Sequence, residues 1–147
     1  MKVFCTSRFK TEMDGLKGKK QYKEVEEDTI DYFLNKTIDE VSSGTRLNNS
    51  ETTPYIKKRL EGSGGFRVYY LLIIKDDNAY LMFIHPKTGS MGGSNITDEA
   101  KKTFYKDVLI AIQKSDLYEV SKHPTKSELV YAPMLKAVIA KSGKASK

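Results

Sequence analysis

One cysteine, two histidines and no long apolar run set the first bounds on this chain of 147 residues. Cys5 has no second cysteine with which to form an internal disulfide, and no Cys-x-x-Cys partner for zinc. It sits in the apolar run 3–6, so a buried thiol in a reducing compartment is expected. His85 and His123 are far apart with no ligand spacing around them, which argues against a metal site. The longest apolar stretch, residues 68–74, falls far short of the roughly 20 residues that a membrane helix needs. The N-terminus also lacks the charged-then-apolar pattern of a signal peptide. The expectation is a soluble, unprocessed, cytoplasmic protein with neither metal nor cofactor.

The length suits one domain with one sizeable core. Lysine and arginine number 25 against 19 acids, a formal net charge of +6. That excess fits an acidic partner such as nucleic acid or an acidic protein, and equally a basic surface that is merely soluble.

Residues 3–6 read as a short strand. Ser7 is placed to cap a helix that carries Phe9, Met13 and Leu16 until Gly15 and Gly18 end it. Between residues 19 and 41, Tyr22, Val25, Thr29, Phe33, Ile38 and Val41 recur at nearly helical spacing, as in an amphipathic surface helix. Residues 42–54 are polar and read as loop. Three strand-like runs then follow, at 55–61, 66–75 and 79–87. They are joined by Gly62-Ser63-Gly64-Gly65 and Asp76-Asp77-Asn78, residues that tolerate the positive φ of hairpin turns.

After a glycine-rich stretch at 88–95, Thr97 caps a helix whose first turn carries Asp98 and Glu99. Ala100, Phe104, Val108 and Ile112 give that helix a continuous apolar stripe. Residues 129–140 read as one more helix, started or broken near Pro133, before a disordered basic tail. The predicted fold is α+β: N-terminal helices and a C-terminal helix packed on one face of a small, mainly antiparallel sheet. Residues 1–114 form the domain and 115–147 an extension.

The three runs carry the chemistry. Residues two apart on a strand share a face, so Lys57 joins Arg59, Arg67 joins Tyr69, and His85 joins Lys87. In simple hairpin order, with Ile56, Leu60, Phe66, Val68 and Ile84 turned to the helices, these six side chains line one polar surface. Without paired carboxylates, that surface is poorly built for glycoside or metal-assisted hydrolysis. It suits a phosphodiester, because cations stabilise charge on phosphate oxygens while RNA supplies its own 2′-hydroxyl nucleophile. Blander roles stand beside this one. Arg67 can pair with Glu61, and Lys57, Lys58 and Arg59 can form a solvated strand face. His85 can simply be packed, and Tyr69 can be a core-edge aromatic rather than a base-stacking platform.

The segment 57–70, with its Gly-Gly-aromatic-Arg-Val-x-Tyr hairpin, the run Tyr80-Leu-Met-Phe-Ile-His-Pro-Lys87 and the capped Ile96-Thr-Asp-Glu99, resembles the RelE/HigB superfamily of toxin–antitoxin toxins. The resemblance spans about residues 55 to 112. It implies a ribosome-dependent, metal-independent endoribonuclease that cuts mRNA and is silenced by a cognate antitoxin protein. On that likeness Arg67 and Arg59 stabilise phosphate charge, His85 or Lys57 transfers protons, and Lys87 binds the RNA backbone, with Lys58 and Tyr69 as further RNA contacts. Residues 88–95 offer neither the tyrosine nor the arginine that such toxins sometimes carry there. This motivates the alternative of a catalytically silent RNA- or partner-binding protein. A small basic accessory protein with no nucleic-acid role is the third reading.

Overall fold

The structure, a computed structural model, describes residues 1–22, 24–60, 65–86 and 96–134. Among the described residues seven strands form one sheet: β1 (Lys2–Cys5), β2 (Thr45–Arg46), β3 (Tyr55–Leu60), β4 (Phe66–Ile73), β5 (Asn78–Pro86), β6 (Tyr118–Lys122) and β7 (Leu129–Pro133). Three α-helices accompany them among the described residues: α1 (Ser7–Lys17), α2 (Val25–Phe33) and α3 (Asp98–Lys114). The spatial order is β2-β3-β4-β5-β1-β6-β7, with β1 parallel to β5 and every other neighbouring pair antiparallel. The expected α+β class and mainly antiparallel sheet are therefore present.

Strand β1 lies inside the sheet because it is apolar on both sides. Val3 and Cys5 pack with α1 and α2 residues such as Phe9, Met13, Ile30 and Phe33. Phe4 packs with Phe104 and Val108 of α3 on the other side. Strand β4 alternates in the same way: Val68, Tyr70 and Leu72 join the first cluster, Tyr69 and Leu71 the second. A run buried on both faces belongs to a sheet covered on both. The expectation that all helices share one face is thus corrected: α3 lies opposite α1 and α2, in three layers.

Other boundaries also differ from expectation. Thr6, not Ser7, caps α1, its hydroxyl accepting from the Phe9 N–H at 3.3 Å, and α1 passes through Gly15 to end at Gly18. The long helix expected over 19–41 is a shorter α2 flanked by 3₁₀ turns, Lys20–Tyr22 and Glu40–Ser42. The break has a local cause. Thr37 and Glu40 form a reciprocal box, with the Thr37 N–H donating to Glu40 Oε1 at 3.0 Å and the Glu40 N–H to Thr37 Oγ1 at 3.3 Å. Such a box starts a new turn rather than continuing an old one.

Within the expected loop 42–54, the short strand β2 pairs with β3. Gly44 makes the approach possible at φ 122°, since a Cβ there would lie 2.8 Å from Ile56 Cγ2 and 3.0 Å from the Lys57 carbonyl oxygen.

The expected helix over 129–140 is replaced by a hairpin in its described part. Strand β6 pairs with the second edge of β1, and β7 pairs with β6. Buried Glu26 anchors β7, accepting the Leu129 N–H at 2.9 Å. Residues 118–133 therefore belong to the same sheet as β1. The turn at 61–64, Lys87, the stretch 88–95 and the tail lie outside the described residues. Among the described residues, no helix is long and apolar enough to cross a membrane.

Candidate phosphate-binding face

The strand register decides which cations meet. Arg59 pairs with Arg67 across β3 and β4, and Arg67 with His85 across β4 and β5. Directly opposed residues lie on one face, about 4.5–5.5 Å apart at Cβ. Arg59, Arg67 and His85 therefore form a single row across three strands. A second row, Lys57, Tyr69 and Phe83, runs beside it on the same face.

The row depends on a bulge. Tyr69 pairs with Phe83 but Tyr70 pairs with Leu81, so Met82 is an extra residue in β5. Met82 and Phe83 consequently both join the cluster under α3. Had Tyr70's pairing continued without the bulge, Arg67 would oppose Ile84, and His85 would point into the α1–α2 core. One inserted residue re-aims the imidazole, a use of bulges common beside functional sites.

Helix α3 covers the second row. Phe104 stacks on Phe83 at 4.5 Å between centroids and lies 5.8 Å from Tyr69. Tyr69 is 1% exposed, packed under α3 beside the first row, and is not a platform on which a base can stack. In the first row Arg59 is exposed, while Arg67 and His85 are half-buried. Lys58 lies on the opposite face, its ammonium 5.7 Å from the centroid of the Tyr32 ring, and is separated from the row by the sheet. The position of Lys87 is not described.

The electrostatics of the row follow from burial and from its own positive charge. The His85 ring stacks on Phe83 at 6.0 Å, and its Nε2 is buried with no hydrogen-bond partner among the described residues. Burial, then the Arg67 guanidinium, depress its pKa below the ordinary 6.5, with Glu12 of α1 opposing weakly. The imidazole is therefore neutral at pH 7, able to accept a proton. The Lys57 ammonium is also lowered, by burial first and then by Lys101 and Arg67.

Lys101 of α3 and Glu12 of α1 were not among the residues singled out from sequence, because only tertiary packing brings them to the strands. Among the described residues no group of three or more His, Cys, Asp or Glu side chains is placed to hold a metal ion. The face thus combines fixed cations, a neutral imidazole and a destabilised ammonium, the elements needed to hold a phosphodiester and move protons around it. No family model, no curated protein and no solved structure matches this chain.

Proposed function

We propose that the protein is a metal-independent endoribonuclease that cuts mRNA on the ribosome, the toxin of a toxin–antitoxin pair acting in the cytoplasm. The cross-strand row Arg59, Arg67 and His85 carries this reading, because it presents two guanidinium groups and a proton acceptor side by side. In the reaction the RNA's own 2′-oxygen attacks phosphorus, forming a cyclic phosphate, and the bond from phosphorus to the 5′-oxygen of the next nucleotide breaks. His85 takes the 2′-hydroxyl proton. Arg59 and Arg67 balance charge on the non-bridging oxygens, and Lys57, its ammonium made more acidic by burial and then by Lys101 and Arg67, returns a proton to the leaving 5′-oxygen. Attack within the strand needs no external nucleophile, so holding the RNA in line supplies much of the rate.

The test is a translation reaction in which mRNA 5′ ends are mapped with and without the purified protein. Cuts within translated messages are expected, and Arg67→Ala should slow them about 10²- to 10³-fold. Intact messages and unimpaired synthesis would sink the proposal. RNA binding without cuts would favour the silent binding protein instead.

A further inference from the structure

A concavity of about 390 Å³ opens beside α3, lined by Leu47, Tyr55, Lys101, Lys102 and Tyr105 among others. Its volume falls among those of small-molecule sites, about 300–1,000 Å³. The aromatic wall is held in place. Tyr55 donates its hydroxyl to the Lys101 carbonyl at 2.8 Å and stacks on Tyr105 at 5.4 Å with the planes 14° apart. The Tyr55 N–H in turn donates to Asn48 Oδ1 at 3.0 Å. Tyr105 is half-buried and Lys102 exposed. Lys101 reaches Asp98 at 3.7 Å, but that carboxylate is 92% exposed, so the pair is weak and the ammonium remains available to an anion.

The concavity continues the cationic row. Tyr55 lies four residues before Arg59 on the same face of β3, about 13 Å along the strand. Lys57 sits between them, within electrostatic reach of Lys101. Flat aromatic rings beside ammonium groups are how proteins hold unpaired nucleotides, the base against the ring and the phosphate against the cation.

We propose that this concavity binds a nucleobase and its adjoining phosphate, from a nucleotide flanking the one held at the Arg59–Arg67–His85 row. The inference rests on the RNA reading above and adds a second contact point to it. Tyr105 supplies the stacking surface, and Lys101 and Lys102 the phosphate contacts.

The experiment titrates the full chain with a fluorescein-labelled single-stranded RNA, with adenosine monophosphate and with inorganic phosphate. Tyr105→Ala should weaken the oligomer about 5- to 100-fold. Tyr105→Phe, which keeps the ring, should restore binding. Lys102→Glu, at an exposed position, should weaken binding and flatten its dependence on salt. Adenosine monophosphate should bind far more weakly than the oligomer.

Wild-type affinity in both Tyr105→Ala and Lys102→Glu would overturn the proposal. So would a monophosphate that binds as tightly as the oligomer, because the ligand would then be a free nucleotide. Messages cut in translation by a Tyr105→Ala protein with unaltered RNA affinity would remove this subsite and leave the ribonuclease. Tyr105-dependent binding with uncut messages would do the reverse.

Discussion

The two faces of strands β3, β4 and β5 are made from alternate residues of the same chain, yet they are built by opposite rules. Toward α1 and α2 lie Ile56, Val68, Tyr70 and Ile84, all 0% exposed. Even the phenol of Tyr70 is satisfied there, donating to the Val41 carbonyl at 2.7 Å. Toward α3 the face is apolar for only half its length, where Tyr69 and Phe83 meet Phe104, and then gives way to Arg59, Arg67 and His85. One side fixes the strands, and the other uses that rigidity to hold charges side by side.

Four measurements would break or sharpen this contrast. Phe33→Ala removes a fully buried ring of the closed face that meets Tyr70 edge-on at 4.9 Å. It should cost about 3–5 kcal/mol in urea unfolding, and a loss below about 1 kcal/mol would deny that face its supporting role. Gly44→Ala puts a methyl against Ile56 Cγ2 on the same side at a φ that other residues rarely adopt, for about 1–3 kcal/mol. A crystal structure of the variant should show β2 displaced from β3, and an unshifted strand at full stability would contradict the steric argument. Tyr70→Phe keeps the ring but leaves the Val41 carbonyl without its donor, and should cost about 1 kcal/mol.

The smallest effect belongs to the open face. The folded-state pKa of His85 lies below the ordinary 6.5, so the stability it contributes is complete above that pH and is lost as pH falls through the lowered value. The nuclear magnetic resonance titration of its ring should have a midpoint below 6.5, and His85→Gln should remove that part of the acid dependence of unfolding. A midpoint at or above 6.5 would mean that burial and Arg67 do not act as described.

What could be read from the sequence was whatever repeats locally. Four-residue steps marked α3, and two-residue steps placed Arg59, Arg67 and His85 on one face. The bulge that His85 requires left no trace, because residues 80–84 are all large and apolar and one extra member disturbs no alternation. The opposite placement of α3 did have a signal. The unbroken run through Tyr69, Tyr70, Leu71 and Leu72 is what a strand covered on both faces looks like. The sequence gives no sign of β6, and a helical pattern where β7 lies, because the reason these strands exist is remote. Tyr118, Val120, Leu129 and Tyr131 form only a brief alternation, and it gains meaning once β1 is seen to need a second neighbour. The concavity beside Tyr105 was equally hidden, since it joins a loop near residue 47 to a helix near residue 101.

The interior place of β1, between β5 and β6, governs how the molecule comes together. Strand β1 is far in sequence from both of its partners: Lys2 pairs with Asn78, and Val3 with Val120. Such distant pairings give a high contact order and slow folding. A chain stopped after α3 would leave β1 as a bare edge strand, ready to pair with another copy. Pairing with β6 covers that edge, so the hairpin at 118–133 acts as the clasp that closes the sheet beside β1.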